Sequence, residues 1–576
     1  MVPALRWLRS YNSQTFSSDL IAAIIVSIML IPQSLAYALL AGLPAEVGLY
    51  ASILPLAVYA IFGSSSTLSV GPVAIASLMT AAAVGEVAAA GQYSVTAAAV
   101  TLAGLSGGML MFFGFLRLGF LANFLSHTVV SAFITASAII IALSQLRHLL
   151  GVNAGGDTLG EILHSLLVAM PNLNLPTLAL GGGVLVFLFL VRSQGVRILS
   201  ALGLSAFQAQ LCAKVAPVLA VIATIALTTT LQLESRGVAV VGEVPSGLPA
   251  LAMPQLSIEL LQALWLPALL ISIIGYVESV SVGRTLGGKR QERIDPDQEL
   301  IGLGTANVAS ALSGGLPVTG GFSRSVVNFD AGAVTQAASL MTALFIGLVS
   351  LFFTPLLYAL PKATLAATII VAVIALVDFH MIKQTWKVSK SDTSAVLVTM
   401  LFTLGFGVEA GVSCGILVSL SLHLYRTSTP HIAEVGLLPG TQHFRNVRRH
   451  CVETDPQVLS LRVDESLFFA NANYLEDYIY KAVLFAKPTS ETKANPENKI
   501  SQVILMCTAV NEIDFTALET LEAINHRLQQ QGITLHLSEV KGPVMDMLKR
   551  TDFLQKLSGK VYLSQFEAFN ETRLRP

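Results

Sequence analysis

Charge is scarce in this chain. Of 576 residues only 12% are Asp, Glu, Lys or Arg, while 53% are hydrophobic. A soluble protein of this length carries roughly twice that charged fraction, so the composition excludes a soluble globular protein. Cysteine is almost as scarce. Cys212, Cys414, Cys451 and Cys507 stand at no metal-ligand or redox spacing, so no metal site is expected and they read as small buried hydrophobes. No Ser-His-Asp or His/Cys constellation occurs, which leaves no basis for an enzyme or for a bound cofactor. His127, inside an apolar run, reads as a packed polar residue. The formal net charge of -1 gives no reason to expect a nucleic-acid partner. The block Gly283-Arg284-Thr285-Leu286-Gly287-Gly288-Lys289-Arg290 lacks the spacing and the preceding strand of a phosphate loop. It reads as a basic loop.

The charges that exist are unevenly placed. Residues 1–430 hold few and residues 431–576 are dense in them, so the chain divides into a membrane part and a soluble tail. A helix needs about 20 apolar residues to cross a bilayer. Fourteen stretches read as spans, near 18–41, 46–62, 68–90, 95–116, 126–146, 174–192, 211–232, 258–284, 297–313, 321–329, 334–354, 357–378, 394–407 and 410–426. The first follows Arg6 and Arg9 as a signal peptide would, but it is long enough to span and reads as a retained helix. With a cytoplasmic N-terminus, the loops after even-numbered spans should be basic. Arg117, Arg192, Arg197, Arg284, Lys289, Arg290, Arg293, Lys383, Lys387, Lys390 and Arg426 fall there, against Arg147, Arg236 and Lys362 on the other side. Seven spans per half make the halves inverted relative to each other, the geometry of an inverted-repeat transporter. Two outside loops are long, near 148–173 and 233–257.

Two apolar segments are broken at corresponding places in these halves. One is Ser66-Thr67-Leu68-Ser69-Val70-Gly71-Pro72-Val73-Ala74, and the other runs from Gly314 through Pro317 and Gly320-Gly321 to Phe322-Ser323-Arg324-Ser325. Backbone that unwinds in a bilayer needs partners that lipid does not offer. Paired broken helices at equivalent places point to a transporter's binding site. Arg324 adds a charge and a planar fork suited to oxyanions, beside a helix N-terminus that itself favours anions. Val73 and Ala74 supply the facing N-terminus. Gln33 and Tyr37 lie four apart on one helix face, where an amide and a phenol suit substrate oxygens or helix packing. Glu278 stands in Gly275-Tyr276-Val277-Glu278-Ser279. A carboxylate in the bilayer core costs a few kcal/mol, so it faces a cavity, carries a proton, or pairs with a cation such as Arg324.

The tail alternates strand and helix. Strands are expected near 458–463, 503–506 and 533–537, helices near 474–485, 514–531 and 544–549, and a polar insertion over 488–499. That alternation defines a small α/β domain.

Ile31-Pro32-Gln33-Ser34-Leu35-Ala36-Tyr37-Ala38, Gly42-Leu43-Pro44 and Gly48-Leu49-Tyr50-Ala51-Ser52 resemble the sulfate permease (SulP) family of anion transporters. Ser69-Val70-Gly71-Pro72, Gly320-Gly321-Phe322-Ser323-Arg324-Ser325 and Glu278 with Gly283-Arg284 follow the same pattern. Val503 to Met506 and Asp514-Phe515-Thr516-Ala517 resemble the STAS signature, with Phe515 and Ala517 where the anti-sigma antagonists carry serine and glycine. Regulation by phosphorylation is therefore not expected, and the tail reads as a scaffold. The resemblance implies an all-α polytopic membrane domain of fourteen spans, a seven-plus-seven inverted repeat with core and gate, followed by a cytoplasmic α/β STAS domain. The expected boundaries are 1–430 for the transporter domain, 431–455 for a linker and 456–576 for the STAS domain. It further implies a homodimer in a bacterial inner membrane, both termini cytoplasmic, that takes up sulfate with protons by alternating access. The anion would lie near Gln33, Tyr37, Val73, Ala74, Ser323 and Arg324, with Glu278 as the ion-coupling acid. Sodium-coupled bicarbonate or dicarboxylate transport, an anion exchanger or channel of the same fold, and a membrane-anchored signalling protein remain the alternatives.

Overall fold

The computed structural model describes residues 3–9, 11–89, 91, 93–123, 126–156, 158–201, 203, 205–484 and 499–573. The chain divides into two compact units, Met1–Ser419 and Leu420–Pro576. The side chain of His127, and all of the expected polar insertion except Lys499, lie outside the described residues.

The first unit is helical. Its first half runs α1 (Ala4–Arg9), α2 (Ser13–Leu40), α3 (Ala45–Tyr50), α4 (Leu54–Phe62), the short strand β1 (Val70–Gly71), α5 (Ala74–Ala89), α6 (Val95–Phe115) and α7 (His127–Leu150). There follow α8 (Leu159–Ala169), α9 (Leu175–Leu190), α10 (Val196–Ala201) and α11 (Ala206–Thr230), with a π-helical turn at Val191–Gly195 between α9 and α10. The second half has α12 (Ile258–Arg290), α13 (Pro296–Leu312), the strand β2 (Thr319–Gly320), α14 (Phe322–Asp330), α15 (Ala337–Phe352), α16 (Lys362–Ile374), α17 (His380–Val388), α18 (Lys390–Phe406) and the start of α19 (Val408–Ser428), which continues into the second unit from Leu420. Each of the fourteen expected stretches falls on one of these helices or on a helix pair. Seven of the described helical segments are long and apolar enough to cross a membrane. Four shorter apolar helices, among them α15 and α16, accompany them.

Gly283 to Arg290 forms the last two turns of α12 rather than a loop, and Lys289 and Arg290 lie over the Phe329 ring. The long stretch 148–173, for which irregular or short structure is expected, contains α8, an eleven-residue helix capped by Thr158.

Close packing in this unit depends on small residues, as it does between helices in lipid. α6 and α13 approach where Gly107 faces Gly304. A Cβ on Gly107 would stand 2.7 Å from Val308 N, and one on Gly304 would stand 2.7 Å from Met111 N. Alanine at either place pushes the helices apart.

The second unit has a six-stranded sheet in the order β4-β3-β5-β6-β7-β8. Its strands are β3 (Ile432–Leu437), β4 (Phe444–Asn446), β5 (Val458–Val463), β6 (Gln502–Met506), β7 (Thr534–Ser538) and β8 (Val561–Tyr562). β5 through β8 are parallel, and β3 pairs antiparallel to both β4 and β5. The helices are α20 (Ala472–Leu484), α21 (Phe515–Gln530), α22 (Gly542–Leu548), α23 (Phe553–Lys556) and α24 (Gln565–Arg573). One face of the sheet buries Leu461, Val503, Leu505 and Leu535 with Leu521 and Ile524 of α21. The other buries Val435, Phe444 and Ile504 with Phe569 of α24.

The stretch expected as a linker, 431–455, thus contains two strands of the sheet, β3 and β4. His431 Nδ1 meets Asp464 Oδ2 at 2.7 Å, the Asp464 amide donates to His431 O at 3.1 Å, and Arg462 Nε bonds Asp464 Oδ1 at 2.5 Å. Burial pushes the Asp464 carboxyl up, but the bonds from Arg462 and His431 outweigh it and hold it below the ordinary value.

Candidate functional site

The two broken segments meet. β1 and β2 pair antiparallel, Val70 opposite Gly320 and Gly71 opposite Thr319. α5 leaves one strand and α14 leaves the other, so two helix N-termini start side by side. Val73 accepts the first bond of α5, from Ser77 N at 2.9 Å, and Gly321 accepts that of α14, from Ser325 N at 3.1 Å.

Buried backbone groups freed by the breaks must find partners, and hydroxyls and amides supply them. Ser69 N donates to Ser325 Oγ at 3.0 Å and Gly320 N to Ser279 Oγ at 2.9 Å. Thr319 Oγ1 donates to Gly275 O at 2.7 Å. Asn307 of α13 clamps the strand entry: Val318 N donates to its Oδ1 at 2.9 Å, and its Nδ2 donates to Val318 O at 2.8 Å. Asn328 Nδ2 donates to Thr67 O at 3.0 Å, and Gln336 Nε2 to Ser65 O and Leu68 O at 2.6 and 2.9 Å.

Beside this crossing is a cavity of about 50 Å³, more room than one water needs. Gln33 and Tyr37 of α2, Val73 and Ala74 at the start of α5, Glu278 of α12, and Ser323 and Arg324 of α14 all line it. The structure therefore gathers every residue singled out in the sequence for anion or ion coupling. It adds Gly321, Phe322, Ile75 and, from α16 and the turn that follows it, Ala372, Val373 and Leu376. The α16 residues were invisible in the sequence, because they are ordinary members of an apolar run.

Arg324 is 2% exposed. Its Nη2 donates to Thr319 O at the long distance of 3.5 Å, and its buried Nη1 has no hydrogen-bond partner among the described residues. No ion pair joins it to Glu278 among the described residues, so the alternative of a plain structural bridge between them is not met. The guanidinium fits only because glycine flanks it. A Cβ on Gly71 would stand 2.5 Å from Nη1, and one on Gly321 3.0 Å from Nε and Nη2.

Two further buried acids escaped the sequence reading, though an acid in an apolar run was the available signal. Asp19 of α2 accepts from Val334 N, Thr335 N and Thr335 Oγ1 at 2.6, 3.1 and 2.6 Å. Glu299 of α13 accepts from Tyr59 Oη at 2.6 Å and Ser64 Oγ at 2.7 Å. Both are saturated with donors and tie helices together. Neither faces the cavity.

An apolar helical unit with a cavity at two broken helices, carrying a buried arginine whose Nη1 has no partner among the described residues, and joined to a small α/β domain, defines a multi-pass membrane transporter rather than an enzyme. Residues 16–399 match the sulfate permease family and residues 451–568 match the STAS domain. The chain belongs to the sulfate permease family, whose members are anion transporters. It is 35% identical to the chloroplastic sulfate transporter 4.1 of Arabidopsis thaliana over 97% of this chain and 80% of that one. It is 30% identical to a probable sulfate transporter of Mycobacterium tuberculosis over 96% of this chain and 95% of that one. Its fold is similar to that of the murine solute carrier 26 family member A9 anion transporter in the inward-facing state, with a TM-score of 0.89 at 22% identity over 100% of this chain and 94% of that one. The transmembrane domain of a cyanobacterial bicarbonate transporter, BicA, covers 71% of this chain and 98% of its own length, with a TM-score of 0.58 at 23% identity.

Proposed function

We propose that this chain imports sulfate together with protons by alternating access, with the anion held between the N-termini of α5 and α14 and the proton carried by Glu278. The observation that carries the reading is Arg324 Nη1, a buried donor without a partner in the wall of a cavity that Glu278 also lines. An unmet buried charged donor costs at least about 1–3 kcal/mol, and an oxyanion on Arg324 and the two helix ends offsets that cost. Relatives named as sulfate transporters support sulfate among the possible oxyanions. Glu278 supports proton coupling, because a carboxyl in the cavity wall is a group that can take up and release a proton beside the bound anion.

A second cavity, of about 540 Å³, shares Gln33, Phe322 and Ser323 with the first and reaches Arg192 and Asp330. The loop-charge bias assigns Arg192 to the cytoplasmic side, so this larger cavity is an inward vestibule in our reading. The rest of the reading is a fourteen-span inverted repeat with core and gate, assembled as a homodimer in a bacterial inner membrane with both termini cytoplasmic. The antiparallel meeting of β1 and β2 supports the inversion.

The test is uptake of radiolabelled sulfate into proteoliposomes. An inward proton gradient is expected to drive accumulation. Glu278→Gln should abolish that drive while the protein still folds and binds sulfate, and Arg324→Ala should lose both binding and uptake. Undiminished pH-driven uptake in Glu278→Gln sinks the proton assignment. A sodium requirement sinks the proton assignment as well, and stronger competition by bicarbonate or a dicarboxylate sinks the substrate assignment.

A further inference from the structure

A third cavity, of about 290 Å³, lies further along α2, at Leu40 to Gly42, whereas the vestibule at Arg192 meets α2 at Met29 to Gln33 and the central cavity meets it at Gln33 and Tyr37. It is lined by the end of α2 (Leu40, Ala41, Gly42), by Leu78, Ala81 and Gly85 of α5, and by Ser144 and Arg147 of α7. Its mouth is at the exposed Gly155 and Gly156.

Two of the helices that line the central site, α2 and α5, also line this pocket. On α5, Ala74 and Ile75 line the central cavity and Leu78, Ala81, Val84 and Gly85 the outer one, with Ala74, Leu78, Ala81 and Gly85 following one another along the helix. Those steps of four, three and four residues keep to one stripe of a helix. On α2, Gln33 and Tyr37 face the central cavity and Leu40 and Ala41 the outer one, again one stripe. From Ala74 to Ala81 the climb is about 10 Å. Between the cavities, Tyr37, Leu40 and Ala74 are buried in one apolar cluster with Leu78 packed against it. That cluster is a plug across a continuous line.

Arg147 gives the pocket its sign. Its Nε donates to His148 Nε2 at 3.2 Å and its Nη1 to Ala154 O at 3.3 Å. Neither bond uses Nη2, and no acid pairs with the guanidinium among the described residues. We propose that this pocket is the closed outer vestibule of the anion path, with Arg147 as the charge that first meets an external oxyanion and Leu40 and Leu78 as the outer plug. The proposal rests on the transport reading above and deepens it by assigning the entry route and its first contact.

The test reads charge selectivity without needing transport. Gly85→Cys places a thiol in the pocket without a clash, since nothing stands within 4 Å of a Cβ there. Ala81→Cys, half-buried one turn deeper, is the second probe. Intact cells are treated with two membrane-impermeant methanethiosulfonates of similar size, one bearing a sulfonate and one a trimethylammonium, with the parent protein as the blank. The sulfonate is expected to react faster than the cation, and Arg147→Gln should lower that rate ratio by about five-fold or more, because a unit charge on the wall acts oppositely on the two reagents. In the same variant the external sulfate concentration for half-maximal uptake should rise about three-fold or more, as expected when a steering charge is lost. Absence of labelling from outside at both positions overturns the proposal. So does a rate ratio that Arg147→Gln leaves unchanged. Charge-selective labelling in a protein that moves no anion supports the vestibule and overturns the transport reading.

Discussion

Arg324 occupies a place that only glycine neighbours leave open. Gly71 belongs to the other half of the chain, 253 residues earlier, yet its missing side chain sets the position of the guanidinium. Gly71→Ala is therefore expected to displace Nη1 from the cavity wall while the backbone pairing of β1 and β2 persists, since a strand accepts alanine. Sulfate affinity should fall about ten-fold or more, the loss of one charge-assisted hydrogen bond of roughly 1.5–3 kcal/mol. The melting temperature of the ligand-free protein should change little. Calorimetric titration of sulfate beside a melting curve checks this, and an unaltered affinity would show that Nη1 does not touch the anion. At this scale the sequence was informative for a physical reason. Arginine, glutamate and Gly-Pro are costly inside an apolar run, so each marks a constraint. Ala372, Val373 and Leu376 cost nothing there and carry no mark. Gly71 was visible as part of a break, but its particular duty toward Arg324 needs the pairing across halves.

Among elements, the crossing of β1 and β2 is the one that fixes the site, and it holds only four strand residues. It persists because side chains from α12, α13 and α14, with Gln336 just before α15, satisfy the groups a helix would have satisfied internally. Asn307 is the member with the most at stake, since it meets both polar groups of Val318 and donates to Leu303 O as well. Asn307→Leu is nearly isosteric but leaves the buried Val318 amide unmet. The expected cost is about 1–3 kcal/mol, seen as a lower melting temperature in detergent, together with weaker sulfate binding because the start of α14 loses its anchor. Asn307→Asp should recover part of both, because it can still accept from Val318 N. Equal melting of the wild type and Asn307→Leu would remove Asn307 from this role. Helix positions were legible from apolar run length, and the break positions from Gly and Pro. The tail's first two strands were not. Pro439-Gly440 and Arg445, Arg448 and Arg449 look like a solvated connection, yet Val435 and Phe444 are buried by Phe569, more than a hundred residues later. A strand covered by so distant a partner shows no pattern of its own.

For the whole molecule, the division of labour follows the division of the core. Every group lining the central cavity, and every side chain that holds the crossing, belongs to Met1–Ser419. The tail keeps separate apolar layers on the two faces of its sheet, built from its own residues alone. A membrane unit whose site is complete within itself should bind its anion without the tail. Truncation after Ser428, at the end of α19, is therefore expected to leave the sulfate dissociation constant within about two-fold of the full chain, because none of the groups that set it is removed. The amount of protein recovered and its maximal uptake rate are where any contribution of the tail belongs, through assembly or the rate of conformational exchange. Calorimetry on the purified truncation, with uptake in proteoliposomes at matched protein density, separates the two. A dissociation constant raised ten-fold or more would mean that the tail shapes the cavity at a distance. A truncation that binds with full affinity yet moves no sulfate would make the tail part of the transport cycle.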